Sequence, residues 1–391
     1  MVSDSLPTVA IIGGGQLGML LCQAAKRIDI KTIVVVEEAE PPAAAFADEV
    51  MVSPWDQPGL AAAIANIADF VTFEFEAVPD ALLDELVIEE QNGNVQINPS
   101  VEILKLIKSK ALQKAWMTEN DIPTLPFLVS EHPQAEVDDL VKQVGGVPFV
   151  QKAVSGGYDG YGVQIIRNEN DLQNIWDTPS IIEKCVENPI ELSVVVAANG
   201  HGETVAYHPV KMVFVPEKNV LDSMCSPTGL DAAVDQRAVD LASSVIKQLG
   251  GAGVFAVELF LLADGELLVN EVSPRVHNSG HHTIEAYGIS QFEQHLRAVC
   301  GLELKQPEAE VPSTIMQNLL YSDDLEFMLE YPPGHVVSPM DGVYIHWYGK
   351  REGREGRKMG HITSVWPDET ESRQRVIESL ELIKRAGGSA T

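Results

Sequence analysis

Residues 253–286 read GVFAVELFLLADGELLVNEVSPRVHNSGHHTIEA. Two apolar arms meet at Ala263-Asp264-Gly265, so the segment predicts a β-hairpin over 253–275. Glu258 and Glu271 interrupt those arms. A carboxylate in an apolar strand is costly unless something neutralises it. Two carboxylates converging from paired strands, with Asn270 beside them, form an oxygen ligand set suited to magnesium bridging phosphates. Two separate salt bridges are the alternative reading. Beyond the second arm come Pro274, Arg275, three histidines, Asn278 and Gly280, which read either as a solvated turn or as a site for a phosphorylated ligand.

Working outward, VPFVQKA (147–153) is a strand ending on Lys152, SGGYDGYG (155–162) a glycine-rich loop and GVQIIRN (162–168) the return strand. Glycines let the backbone approach a ligand and the lysine supplies charge, so this hairpin can close over phosphates. It is not a Walker loop, because no GK[ST] opens a helix. SIIEKCVEN (180–188) is a strand and connector able to face an adenine edge, and Glu191 follows as a candidate for ribose hydroxyls. Residues 100–120 read as one helix with Lys105, Lys108, Lys110 and Lys114, taken alone a solvated basic face. At the N-terminus, TVAIIGGGQLGMLLCQAAKRI (8–28) and KTIVVVE (31–37) start a βαβ unit. Gly13-x-Gly15-x-x-Gly18 opens its helix, where free N–H groups attract an anion, and Glu37 ends the second strand as a ribose-binding acid would. A nicotinamide oxidoreductase is therefore a rival reading. DFVTFEFEAVP (69–79) carries Glu74 and Glu76 at the strand end where open α/β sheets place ligands.

The chain has 391 residues, enough for two or three domains, and is 45% hydrophobic and 21% charged. Fifty-seven acids against 27 bases give a net charge of −30, the reverse of what nucleic-acid binding requires. On so anionic a chain, GKREGREGRKMGH (349–361) stands out as a phosphate clamp, with a solvated loop as the alternative. Four scattered cysteines suggest neither a zinc knuckle nor a disulfide framework, which predicts a reducing, cytoplasmic setting. No signal peptide and no membrane span are expected.

The order of these parts resembles an ATP-grasp carboxylate–amine ligase. GGGQLGML (13–20), TFEFEAVP (72–79), GGYDGYG (156–162), NEVSPRVHNSGHHTIEA (270–286) and HWYGKREGREGRKMGH (346–361) resemble the N5-carboxyaminoimidazole ribonucleotide synthase family over nearly the full length. The resemblance implies a multidomain α/β and α+β chain: a Rossmann-like domain over 1–105, an ATP-grasp domain over 106–305 and a small β-rich C-terminal domain over 306–391. It implies ATP-dependent carboxylation of 5-aminoimidazole ribonucleotide with bicarbonate, through carboxyphosphate, by a homodimer. A formate-dependent ATP-grasp transferase on a related amine is the nearer rival.

For the residues, the resemblance implies catalytic roles for Lys152, Asp159, Arg275 and His277. It implies ATP contacts from Lys110, Lys152, Gly157, Tyr158, Asp159, Gly160, Glu183, Lys184, Val186, Glu191 and Asn270. Gly15, Gln16, Leu17, Glu76, Tyr158, Asp159, Arg275, His277, Asn278, Lys350 and Arg357 are implied for the ribonucleotide. Glu258 and Glu271 are implied for two magnesium ions, with manganese as an alternative. The chain departs from the family pattern at Lys110, where an arginine is usual, at Ala153-Val154-Ser155, at Tyr161-Gly162-Val163 and in HPVKMV (208–213). These changes fall on the phosphate cover, while the substrate-side strings are better preserved.

Overall fold

A computed structural model describes residues 6–157, 162–215, 219–337 and 340–388. Tyr158, Asp159 and Gly160, three of the implied site residues, lie outside the described residues, as does Tyr161.

Three sheets organise the chain. The first holds β1 (Thr8–Ile12), β2 (Lys31–Val36), β3 (Glu49–Val52), β4 (Phe70–Phe73) and β5 (Gln96–Ile97), all parallel, in the order β3-β2-β1-β4-β5. β1, β2 and β4 are buried almost throughout, which is why they read as unbroken apolar runs rather than alternating ones. The strand order reverses between β1 and β4, so the crevice at their carboxyl ends receives the Gly13–Gly18 loop from one side and Glu74–Glu76 from the other.

The second sheet holds β6 (Phe127–Ser130), β7 (Phe149–Ala153), β8 (Val163–Ile166) and β9 (Ser180–Lys184), antiparallel, in the order β6-β9-β7-β8. The third is ten-stranded. Its members are β10 (Ile190–Ala198), β11 (Thr204–Ala206), β12 (Val210–Phe214), β13 (Leu221–Ser226), β14 (Gly253–Leu261), β15 (Leu267–Ser273), β16 (Thr314–Leu320), β17 (Val336–Val337), β18 (Val343–Trp347) and β19 (Lys358–Val365). They run β15-β14-β10-β12-β13-β16-β19-β18-β17, with β11 beside β10.

Both faces of β10 and β14 are covered. Val194, Val196 and Val257 pack with Ala238, Ala242, Val245 and Ile246 of the helix Ala232–Leu249. Val195, Ala197 and Val254 pack with Phe292 and Leu296 of the helix Gln291–Val299 and with Met19 and Leu20 of the helix Gln16–Ala25. The period-two alternation thus sends one side chain set into each layer and joins the first and third sheets in one core. The C-terminal strands continue the third sheet: β16 pairs with β13 from Ser223↔Gln317 to Ser226↔Thr314. This pairing covers the edge β13 would otherwise expose.

The segment 100–120 differs from the single basic-faced helix its composition predicts. It is two helices, Val101–Lys108 and Lys110–Glu119, broken at Ser109 with φ −100° and ψ 108°. The Ser109 hydroxyl accepts from the N–H of Leu112 and so caps the second helix. The break turns the lysines apart. Lys105 and Lys108 pair with Asp84 and Asp80 at the surface, whereas Lys110 and Lys114 point inward.

Candidate active site

The glycine loop after β1 holds an anion, and the anion is internal. Glu74 Oε1 accepts from the Gly15 N–H at 2.6 Å and Oε2 from the Gly18 N–H at 2.5 Å. Desolvation pushes this carboxyl up from its ordinary range, and the Gly18 and Gly15 N–H groups pull against that. A Cβ on Gly13, at φ +110°, would stand 2.3 Å from Glu74 Cγ. The side chain therefore fills the place a dinucleotide pyrophosphate would take, and the nicotinamide reading is corrected on that ground. Gln16 and Leu17 supply the remaining N–H groups of the helix's first turn. Two residues on, Glu76 Oε1 meets Arg275 Nε at 2.9 Å, which ties this crevice to the loop after β15.

β14 and β15 pair as the sequence predicts, with Glu258 directly opposite Glu271. The register then slips: Leu259 faces Val269, so Asn270 is the extra residue of a β-bulge. In a regular strand Asn270 and Glu271 would point to opposite faces. At the bulge both reach the same cluster of lysines: Asn270 Oδ1 accepts from Lys152 Nζ at 2.9 Å and Glu271 Oε2 from Lys110 Nζ at 2.5 Å. Burial, reinforced by the charges of Glu271 and Glu191, raises Glu258, while the Lys110 ammonium holds Glu271 low. A half-buried carboxylate pair with surplus negative charge fits a hard divalent cation. No group of three or more acids, histidines or cysteines gathers there among the described residues, so substrate phosphate oxygens and water would complete the ligand shell.

Glu183 was expected to face a nucleotide. It is 1% exposed and lies between two lysines, with Lys114 Nζ at 2.6 Å and Lys152 Nζ at 2.6 Å. Lys114 also donates to Thr124 Oγ1 at 2.6 Å, and its burial, against the pull of Glu183, lowers it to about 8. Lys184 is exposed, Val186 half-buried in the connector, and Glu191 sits at the start of β10. Burial, opposed by Lys152 and aided by Glu271, pushes Glu191 up to about 7. A Cβ on Gly162, at φ +80°, would come within 3.1 Å of the Gly157 Cα, so Gly157 and Gly162 lie close together.

Gln113 escaped the sequence reading, and Lys114 entered it only as part of a solvated basic face, whereas it is buried against Glu183. Gln113 is buried; its amide donates to Val272 O at 3.1 Å and accepts from Val272 N at 2.9 Å, as a neighbouring strand would. It pins the helix carrying Lys110 beside Glu271. The signal was present: Lys110, Gln113 and Lys114 are spaced i, i+3 and i+4 on one helix face.

After β15, His277 Nε2 lies 3.6 Å from Glu258 Oε1, and its Nδ1 meets Ser279 Oγ at 2.9 Å. Asn278 is 8% exposed, and neither its amide nitrogen nor its oxygen has a hydrogen-bond partner among the described residues. A buried amide left in that state is an opening for a polar ligand. The basic loop arrives from the third sheet. Lys350 Nζ donates to Lys358 O at 2.8 Å and Arg357 Nη1 to Glu352 O at 2.8 Å, while Arg351 pairs with Glu40. The Arg351–Glu40 pair brings the basic loop against the segment after β2, at the carboxyl end of the first sheet. His281 and His282, polar in sequence, are buried and take no place at this surface; burial drives His281 well below its ordinary range and His282 to about 3.

Three known domain families match successive stretches of this chain. Residues 6–108 match the ribonucleotide synthetase preATP-grasp domain, 115–292 the ATP-grasp domain and 314–375 the phosphoribosylaminoimidazole carboxylase C-terminal domain. The fold and its site define an ATP-grasp ligase. The N5-carboxyaminoimidazole ribonucleotide synthase of Bacillus subtilis is 32% identical over 386 residues, 98% of this chain and 97% of that one. The phosphoribosylaminoimidazole carboxylase of Ogataea methanolica is 34% identical over 94% of this chain, which spans 68% of that longer protein. The structure of the Aspergillus clavatus N5-carboxyaminoimidazole synthase with ADP and 5-aminoimidazole ribonucleotide superposes with a TM-score of 0.83 at 28% identity, covering 97% of this chain and 99% of that one. The chain belongs to the N5-carboxyaminoimidazole ribonucleotide synthase family.

Proposed function

We propose that this protein joins bicarbonate to the exocyclic amine of 5-aminoimidazole ribonucleotide as ATP is cleaved to ADP and phosphate, giving the N5-carboxylated product. The observation that carries the reading is the pairing of Glu258 with Glu271 beneath Lys110 and Lys152 at the bulge of Asn270. Four charges are brought together there, and the two lysines can neutralise phosphate oxygens.

Glu258 and Glu271 would hold divalent cations, magnesium by ligand chemistry with manganese as an alternative; such a cation neutralises phosphate oxygens. Lys110 and Lys152 orient the polyphosphate, and Lys114 with Glu183 fixes Lys152. The connector at Lys184 and Val186 faces the adenine, and Glu191 accepts from the ribose. Bicarbonate is a poor electrophile. Transfer of the terminal phosphoryl group gives carboxyphosphate, and its breakdown releases carbon dioxide beside the waiting amine. The 155–162 loop excludes water while this happens. Arg275, held by Glu76, and His277 flank the reacting end, and Asn278 offers its unpartnered amide. The ribonucleotide 5′-phosphate meets Lys350, Arg357 and the N–H groups of Gln16 and Leu17, while Gly15 commits its N–H to Glu74. We further infer a homodimer working in the cytoplasm. No helix among the described residues is long and apolar enough to cross a membrane.

Phosphate release tests the assignment. With ATP and magnesium, adding the ribonucleotide together with bicarbonate is expected to stimulate release, because the amine completes the site. Equal release with and without the ribonucleotide, or stimulation by formate in place of bicarbonate, would overturn it.

A further inference from the structure

The mechanism above leaves a group of buried histidines without a task. His346 and His361 stack with ring centroids 4.5 Å apart and an interplanar angle of 9°. His281 adds a third ring, 5.0 Å from His361. His346 Nε2 meets Glu285 Oε1 at 2.5 Å, and His361 Nδ1 meets the Tyr348 hydroxyl at 2.8 Å. Tyr348 is 1% exposed and His361 fully buried. At the end of this series, Lys350 Nζ stands 5.6 Å from the centroid of the Tyr348 ring.

The arrangement spans two parts of the sequence. Glu285 and His281 belong to the segment after β15, whereas His346, Tyr348 and His361 come from β18, β19 and the turn after β18. An aromatic face attracts an ammonium within about 6 Å of its centroid. A ring whose hydroxyl is tied, and whose partner is clamped between other rings, cannot turn that face away. A long flexible lysine loses conformational freedom on binding, and ordering it beforehand removes that cost from ligand association.

We propose that Tyr348 is a positioning residue for the ribonucleotide: seated by His361 and the His346–Glu285 pair, its ring holds Lys350 in place for the substrate's 5′-phosphate. This rests on the reading that Lys350 contacts that phosphate. Tyr348 acts through Lys350 and touches no reacting atom. The stack also couples the loop after β15 to the basic loop, so both substrate-facing segments share one buried support.

A double-mutant cycle tests it. Tyr348→Leu removes the aromatic face and is expected to raise KM for 5-aminoimidazole ribonucleotide roughly five- to tenfold. KM for ATP and kcat are expected to stay within about twofold of the parent. Tyr348→Phe keeps the face but loses the His361 tether, so its KM is expected to fall between the two. In a Lys350→Ala background neither substitution is expected to raise KM further. A Tyr348→Leu effect that persists undiminished in that background overturns the proposal, as does a loss of melting temperature in which all constants move together. If Lys350→Ala alone leaves KM unchanged, the phosphate reading of Lys350 fails first, and the proposal falls with it. Should Tyr348→Leu not fold, Tyr348→Phe carries the test, and a Phe variant indistinguishable from the parent overturns the tether.

Discussion

Two clusters of positive charge serve this site, and they are built in opposite ways. Lys110, Lys114 and Lys152 sit in the interior, each paired with a carboxylate or amide of the second or third sheet. Of the basic residues of 349–361, Lys350, Arg351, Arg354 and Arg357 precede β19 on a loop; Arg351 is 75% exposed, and Lys350 and Arg357 each donate to a backbone carbonyl. Interior charges are maintained only by mutual neutralisation, so removing one strands its partner. A surface pair such as Arg351 with Glu40 is solvated, so removing one member leaves the other in water at little cost. The interior cluster should therefore couple catalysis to stability, and the loop should couple only to ligand affinity.

The sharpest way to break this contrast is Glu271→Gln. Loss of one anionic oxygen weakens a hard-cation site and leaves the Lys110 ammonium without its carboxylate. Turnover is expected to fall by at least about a thousandfold, roughly 4 kcal/mol at the transition state, with the circular dichroism spectrum unchanged. A folded variant with near-normal phosphate release would remove Glu271 from the site.

Lys114→Met comes next. Lys114 and Glu183 are 2% and 1% exposed, so the substitution leaves Glu183 with Lys152 alone. Breaking a buried pair costs about 3–5 kcal/mol, enough to lower the melting temperature by many degrees. Lys152 is then drawn fully to Glu183, and kcat/KM for ATP is expected to drop roughly a hundredfold. If thermal unfolding and ATP kinetics both stay at parental values, the interior cluster is no more interdependent than the loop.

Much of this could be read before any coordinates. The β14–β15 hairpin with its two glutamates and the β7–β8 pair are local patterns, set by alternation and turn chemistry within a few residues. What the sequence concealed is non-local. The bulge at Asn270 depends on how two arms slip against each other, and nothing in LLVNEV announces the slip. Glu183 looked like a ligand-facing acid because its neutralising lysines lie 69 and 31 residues away in the chain. Glu74 filling the glycine loop required β1 and β4 to be neighbours, a fact of strand order. His281 looked polar because Tyr348 and His361, which pack against it, come much later in the chain.

On the loop side, Arg357→Ala probes affinity without stability. Charge-assisted hydrogen bonds are worth about 1.5–3 kcal/mol, so KM for the ribonucleotide should rise about ten- to a hundredfold at roughly 1.4 kcal/mol per decade. KM for ATP and the melting temperature are expected to hold. A rise in the ATP constant alone would assign this loop to the nucleotide and erase the contrast between the clusters.

The smallest expected effect refines the interior side, at its edge. Glu191 is pushed by burial to about 7 from an ordinary value of 4.5, with Lys152 opposing and Glu271 adding to the shift. The folded chain thus holds this proton to higher pH than the unfolded chain does. Its contribution to stability is full below about 4.5 and is lost as pH rises through 7. Binding runs the other way. A charged carboxylate accepts ribose hydroxyls more strongly than a neutral one, by about 1 kcal/mol. Lowering pH from 8 to 6 is therefore expected to raise KM for ATP by about fivefold, with the midpoint near 7. Glu191→Gln, which cannot titrate, is expected to show the weaker low-pH affinity throughout and a flatter profile. Since ATP and other groups also titrate, the informative quantity is the difference between the two profiles. Identical profiles would mean that Glu191 does not meet the nucleotide, and that the interior cluster ends at Glu183 and Lys152.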